Sequence, residues 1–283
     1  MTIVRTHRPA VRWGNVLVLI ILSVGLVATI LPFIWMVLGA FKTNAEIMSR
    51  PVTWWPEHPT LDNFTSWLFE FDILRPFLNS VILAGATVAT TLLFSSMVGW
   101  ALAKMRFPGK NVIIVVVLST MFVPGIVTLI PQFVLIANLG MVNTYAGLIL
   151  PGMVGAFGVF LMRQFMLEIP DSLLDAARID GAGEFRTFFQ IVLPLCKAPL
   201  ATLAIFTFMG SWNSFLWPLI ISQDDSMYTL PVSLALFSSE AGGHGSDYGL
   251  QMAGSFLIVI PVLVLFIAMQ KHFVQGITMT GIK

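Results

Sequence analysis

The chain has 283 residues, 57% of them apolar and only 10% charged, with a mean hydropathy of +0.89. Soluble domains carry about 25% charge, so this composition excludes a globule with a polar shell and requires lipid as solvent. The net charge of +1 says nothing about partners, and a single cysteine, Cys196, excludes an internal disulfide and a thiolate metal site.

In chain order, Arg5, Arg8 and Arg12 precede a run from Trp13 to Phe41 that is uncharged over 29 residues. A secretion-signal core is roughly 7–15 residues and no small-x-small cleavage site follows, so a retained first helix is predicted over about 15–41. About 20 apolar residues cross the hydrocarbon. The uncharged stretch 76–103 therefore predicts a second helix over 77–103. The stretch 111–162 has 52 residues, enough for two crossings. The turn residues Asn138-Leu-Gly-Met-Val-Asn-Thr144 divide it into 111–137 and 145–163. Two further helices are predicted over 198–222 and 248–270. Pro32, Pro124, Pro131, Pro151, Pro218 and Pro261 interrupt these helices and allow bends. Ser95/Gly99 and Gly152/Ala156 have the spacing of close helix contacts.

The segment 163–197 is long, charged and patterned. Pro170 and Asp171 open a short helix, Ser172 with Asp175 has the spacing of a capping box, and Gly181 suits a left-handed close. A second amphipathic helix is expected from Phe185, Phe188, Phe189 and Val192, ended by Pro194. After the fifth helix, the segment 224–247 carries Asp224, Asp225, Glu240 and Asp247 without Lys or Arg, and reads as a loop made flexible by Gly242-Gly-His-Gly245.

Lys and Arg number 12 across the N-terminus, the 104–110 and 163–197 segments and the C-terminus, against 3 on the other side, namely Lys42, Arg50 and Arg75. The positive-inside rule then expects both termini in the cytoplasm. Apart from Arg163 at the very end of 145–163, the predicted spans hold no Asp, Glu, Lys or Arg, which argues against proton coupling and suggests a neutral cargo. The four histidines lie in different segments. Gly109-Lys110 lacks the rest of a phosphate loop, so any ATP is expected on another chain. Aromatic faces and amides suit sugars, which makes Trp212, Asn213 and Phe215 candidates for a substrate path.

Asp175-Ala176-Ala177-Arg-Ile-Asp180-Gly181-Ala182, followed by Phe188, Ile191, Leu193 and Pro194, resembles the signature loop of ABC importer permeases. That signature reads Glu-Ala-Ala-x-x-Asp-Gly-Ala, then Phe-x-x-Ile-x-Leu-Pro, so Asp175 replaces a glutamate and shortens its reach by one methylene. Further segments resemble the carbohydrate (maltose-type) branch, specifically its shorter six-helix subunit. They are Phe41-Lys-Thr-x-x-Glu46, Ala101-Leu-Ala-Lys-Met-Arg-Phe-Pro-Gly-Lys110, Leu139-Gly-Met-Val-Asn-Thr-Tyr145, Trp212-Asn-Ser-Phe-Leu-Trp-Pro218 and the Phe273-Val-x-Gly276 tail.

The resemblance implies an all-α integral membrane protein of the ABC importer type I permease fold. It implies six transmembrane helices, a single domain over 1–283 and a bacterial inner-membrane location. In the family the 175–182 segment is a coupling helix that docks on an ATPase, which makes Asp175, Ala176, Ala177, Asp180, Gly181 and Ala182 the expected coupling residues. Expected partners are a second permease subunit in a heterodimer, two ATPase subunits holding ATP and Mg, an extracytoplasmic solute-binding protein and lipid. No cofactor, enzyme activity or nucleic acid is expected on this chain. Asp224, Asp225, Glu240 and Asp247 are the expected contacts to the binding protein. The expected cargo is a disaccharide, oligosaccharide or polyol. An importer of glycerol phosphate, or a non-transporting scaffold or sensor, stays open at this point.

Overall fold

A computed structural model describes residues 13–239 and 247–278. The arginines Arg5, Arg8 and Arg12, the expected contact residue Glu240, the 242–245 glycine run and residues 279–283 lie outside them. Among the described residues every regular element is helical. In chain order these are α1 Trp13–Ala40, α2 Asn44–Ile47, α3 Asp62–Phe69, α4 Leu74–Lys104, α5 Lys110–Thr120, α6 Gly125–Asn138 and α7 Tyr145–Gly152. There follow α8 Ala156–Leu167, α9 Asp171–Ile179, α10 Glu184–Leu195, α11 Lys197–Trp212, α12 Leu216–Ile221, α13 Leu230–Ser239 and α14 Tyr248–Thr278.

Three helices are long and apolar enough to cross a membrane unaided: α1, α4 and α14. The pairs α5–α6, α7–α8 and α10–α11, bent by 105°, 46° and 82°, meet the same test only together, giving up to six spans. The single helix expected over 111–137 is therefore two. Pro124 explains the break: it donates no hydrogen bond and drives the residue before it out of the helical region. The helix expected over 198–222 is also two. Asn213 turns its amide onto the Met209 carbonyl at 2.9 Å, and Pro218 denies a partner to the carbonyl of Ser214 one turn back.

The centre of the bundle is α4, which packs along α8 and α11. Small residues bring α4 and α8 together: a Cβ on Gly99 would lie 3.0 Å from the Met162 Cβ, and one on Gly158 would lie 2.7 Å from the Ser95 hydroxyl. The expected Ser95/Gly99 contact thus forms, whereas Gly152 and Ala156 lie on either side of the α7–α8 break. Along α1 the side chains Leu17, Leu22, Val24 and Leu26 are exposed, and only the last turns enter the bundle, where Gly39 meets the Met252 sulfur of α14.

The end of the bundle that carries Lys104, Lys110 and Arg178 is called the basic end below. At the opposite end, α2 and α3 close over a buried Lys42. Its ammonium donates to the carbonyl and hydroxyl of Thr53, lies 3.6 Å from Glu46 and stands 5.3 Å over the Trp35 ring. A buried charge needs this many partners. Burial pushes the Glu46 carboxyl up. The backbone N–H of Glu57, the Thr53 hydroxyl and the Lys42 charge more than offset that and leave it below the ordinary carboxylate range.

The segment 224–247 is not simply a loop, because α13 runs through it. Leu230, Leu234 and Phe237 recur at helical spacing, and Leu230 and Phe237 are buried with Trp67 and Trp212. Asn79, 2% exposed, ties this region to α4: its amide donates to the carbonyls of Ser226 and Tyr228 at 2.9 Å each and accepts from the Tyr145 hydroxyl at 2.5 Å. An unpartnered buried polar group costs about 1–3 kcal/mol. Asn79→Leu is therefore expected to lower the midpoint of thermal unfolding in detergent. It should also speed hydrogen–deuterium exchange across 222–230 and leave the α4–α8 contact unchanged.

Candidate functional site

The patterned segment at the basic end forms two short helices joined by a closed turn. Pro170 occupies the N-cap of α9 without a capping side chain, so Ser172 falls inside the first turn and the expected capping box with Asp175 does not form. The helix start is held from outside instead. Lys104, at the end of α4, reaches across with its ammonium 2.6 Å from the Ile169 carbonyl, 3.4 Å from that of Leu167 and 2.7 Å from the Asp171 carboxylate. The Lys104 hydrogen bond and charge hold the Asp171 carboxyl below its ordinary range. The pair therefore contributes fully above the unperturbed value of about 3.9 and is lost only as pH falls through the lower one.

Gly181 closes α9 at φ +78°, with Ala182 N–H bonded to the Ala177 carbonyl at 2.9 Å and Gly181 N–H to that of Arg178 at 3.0 Å. This is the double closure that favours glycine. Arg178 then spans the turn, 3.2 Å from Asp175 and 3.2 Å from Glu184. Glu184 first, then Asp175, raises the guanidinium's affinity for its proton. Arg178 thereby sets the angle between α9 and α10.

The two alanines point in opposite senses. Ala177 is buried, as is Leu174, which packs among Trp100, Met166, Phe188 and Val192 beneath α9. Ala176 is exposed between Leu173, 46% exposed, and Ile179, 86% exposed. These three, spaced i, i+3, i+6, form an apolar ridge facing away from the bundle, flanked by exposed Asp175 and Asp180. Ala182 is half-buried in the turn. In α10 the four apolar residues do not share one face. Phe188 and Val192 are buried, while Phe185 and Phe189 are 70% and 45% exposed. The segment includes a π turn at Phe188–Val192. This turn precedes Pro194, whose missing N–H and ring a regular helix would not accommodate. Pro194 therefore does not end the helix, and the chain turns at the buried Cys196.

The second region of interest is the α11–α12 break. Trp212 is 1% exposed, bonded to the Ile258 carbonyl at 3.0 Å and stacked on Phe208, so it packs α11 against α14. Asn213 is exposed but donates to its own helix, and Phe215 is half-buried at the start of α12. A cavity of about 320 Å³ lies beside them, lined by Thr87, Gln132, Thr207, Ser211, Ser214 and Trp217 among others, and by none of these three.

At the opposite end, Asp224 accepts from Asn143 at 2.6 Å and from the Ser226 N–H and hydroxyl, fastening the 222–226 strap to the 138–144 turn. Those bonds, Ser226 first, hold its carboxyl below the usual range. Asp247 accepts from Leu250 N–H at 3.3 Å at the start of α14, and Asp225 is exposed. Sequence reasoning did not single out Lys104 or Asn79. Lys104 was visible as the first cation of the Ala101–Lys110 motif, but its partner lies 67 residues on.

Residues 95–279 match the family described as the binding-protein-dependent transport system inner membrane component. The arabinooligosaccharides transport system permease protein AraQ of Halalkalibacterium halodurans is 39% identical over 90% of this chain and 91% of its own length. The lactose transport system permease protein LacG of Rhizobium radiobacter is 36% identical over 90% and 92%. The sn-glycerol-3-phosphate transport system permease protein UgpE of Yersinia pestis is 35% identical over 91% and 94%. A chain in the crystal structure of a bacterial ABC transporter that imports the acidic polysaccharide alginate superposes with a TM-score of 0.85. It covers 95% of this chain and 100% of that one, at 21% identity, a likeness of fold.

Lys104→Met is expected to raise hydrogen–deuterium exchange at the first amides of α9. Gly181→Val should raise it at residues 180–182, because a side chain at φ +78° costs about 1–2 kcal/mol even where it meets open space. Gly181→Asn, which tolerates that conformation, should stay near the unmodified protein.

Proposed function

The chain belongs to the binding-protein-dependent transport system inner membrane component family, and on that premise we propose that it is one membrane half of an ATP-driven importer of an oligosaccharide or disaccharide. The observation that carries the coupling part is the α9–α10 unit. It is closed by the Gly181 turn and the Arg178 bridges, anchored to α4 through Lys104, and presents an apolar ridge that no segment of the described chain covers.

In this reading Leu173, Ala176 and Ile179 enter a groove on a separate ATPase subunit, with Asp175 and Asp180 orienting the fit. ATP and Mg are held by two such ATPases. Gly181, Ala182 and Arg178 fix the angle at which the ridge is offered. Closure of the ATPases moves α9. Lys104 passes the motion to the end of α4, and Leu174, packed on Trp100 and Phe188, passes it to the body of the bundle. The two membrane halves then rock between states open to either side. The expected disposition has six crossings, made by α1, α4, α5–α6, α7–α8, α11–α12 and α14, with α9 and α10 outside them. Twelve of the 15 Lys and Arg lie on the cytoplasmic side with both termini.

Helix α1 is apolar on all sides and its exposed length suits lipid and a second, different permease subunit. The strap containing Asp225, with the 240–247 segment, is the expected surface for an extracytoplasmic solute-binding protein. Asp224 and Asp247 shape that surface as caps and ties. Arabinooligosaccharides and lactose, the cargos named for two relatives, and the lack of charge in the spans support a sugar.

Ala176→Trp and Ala177→Trp separate docking from folding. Ala176→Trp is expected to lower sugar uptake at least tenfold and to prevent co-purification of the ATPase, at near-normal levels of the subunit in the membrane. Ala177→Trp should reduce the amount of the subunit itself, since the indole has no room beneath α9. Normal uptake by Ala176→Trp would overturn the docking assignment.

A further inference from the structure

The cavity beside the α11–α12 break sits at a particular depth and has a particular chemistry. Thr87 lies thirteen residues from Leu74 and seventeen from Lys104 along α4, so at about 1.5 Å per residue it is roughly 20 Å and 26 Å from the two ends. The cavity is thus near the middle of the bundle. Two helix breaks meet there: Pro151 and Gly152 close α7, and Ser214 lies between α11 and α12. Gln132 follows Pro131 within α6. Discontinuous helices at mid-membrane are how transporters bring polar groups to a cargo.

Hydrogen bonding distinguishes these side chains from several others in the spans, although the buried Ser95 and Ser96 hydroxyls of α4 also lack a partner. Thr29, Thr90, Ser119 and Thr202 each donate to a carbonyl one turn back. A hydroxyl within a lipid-embedded helix satisfies itself in this way. Thr87, Gln132, Thr207, Ser211 and Ser214 make no side-chain hydrogen bond within the described chain, and all five line the cavity. No lining residue is charged. Trp217 adds an aromatic surface, with its N–H already donated to the Gly147 carbonyl at 3.2 Å. Gly210 also lines the space, and a Cβ built there meets nothing within 4 Å. The volume of about 320 Å³ falls within the roughly 300–1,000 Å³ of small-molecule sites.

We infer that this subunit itself carries a cargo-contacting site, formed by Thr87, Gln132, Thr207, Ser211, Ser214 and Trp217, for a neutral polyhydroxylated ligand. The inference rests on the importer reading and adds to it that selectivity is partly set on this chain. Four hydroxyls and one amide offer donors and acceptors in the mixture that sugar hydroxyls require, and the indole offers a surface for the apolar faces of a pyranose. An anionic cargo would enter a site whose lining offers no cation to receive it.

The test uses the full complex reconstituted in vesicles with its ATPase and binding protein. The probes are radiolabelled lactose, diacetylchitobiose and arabinotriose, with sn-glycerol 3-phosphate as the charged probe. Gly210→Leu fills the cavity without displacing a neighbour. It is expected to lower uptake of the transported sugar at least tenfold, while ATP hydrolysis stimulated by the binding protein stays within twofold. Gln132→Ala and Ser211→Ala should each change the ratio of uptake between two of the sugars by threefold or more. Unchanged uptake by Gly210→Leu overturns the site and leaves the importer reading in place. So does uptake of glycerol 3-phosphate, or of none of the sugars, by an unmodified complex whose ATPase responds to the binding protein. An unmodified complex that neither hydrolyses ATP nor moves any probe overturns the importer reading itself.

Discussion

A backbone carbonyl freed inside a membrane has no water to turn to, and the folded chain answers this constraint at several helix breaks, with similar bonds along α14 and at the basic end. Side-chain donors do the answering, from elements distant in sequence. Thr91 bonds the Gly152 carbonyl at the α7–α8 break, and Trp217 bonds that of Gly147. Trp67 bonds Leu250 and Trp212 bonds Ile258, both on α14, while Asn79 takes the carbonyls of the 226–228 strap. At the basic end Lys104 takes those of Leu167 and Ile169, and Lys110 those of Ala103 and Met105. Each such bond joins two elements, so satisfying the backbone and fixing the tertiary structure are one act.

The same constraint connects the two functional regions. Because α4 is unbroken over 31 residues, it carries the Asn79 clasp, the cavity residue Thr87, the Gly99 contact with α8 and the Lys104 clamp on one rod. In the proposed mechanism, a displacement of α9 would therefore reach mid-membrane along this one helix. The elements opposite α4 at the cavity are the broken ones. They hold polar groups such as Gln132, Ser211 and Ser214 beside the breaks.

The sequence reading succeeded where the physics is local. Hydropathy located the long apolar stretches, because lipid acts on each stretch by itself. The Asp175–Ala182 pattern gave α9 and its glycine turn, since φ at Gly181 follows from the closing motif alone. It failed where a distant partner decides. The Ser172–Asp175 spacing suggested a capping box, but Lys104 already holds the helix start. Helix α13 was legible in the spacing of Leu230, Leu234 and Phe237, yet the surrounding acidic and glycine residues led to a loop. Trp212 was taken for a cavity residue because indoles suit sugars. Its burial depends on Phe208 and α14.

Composition and periodicity were thus enough to determine a membrane-embedded helical chain, and the 175–194 pattern its likeness to importer permeases, because burial in lipid and helix closure are imposed residue by residue. Only the tertiary structure decided which alanine faces outward, which lysine clamps the helix start and which polar groups remain unpartnered around a cavity. Those outcomes depend on bonds between residues that are far apart in the chain. No local pattern records whether a hydroxyl finds its own helix or faces an open space.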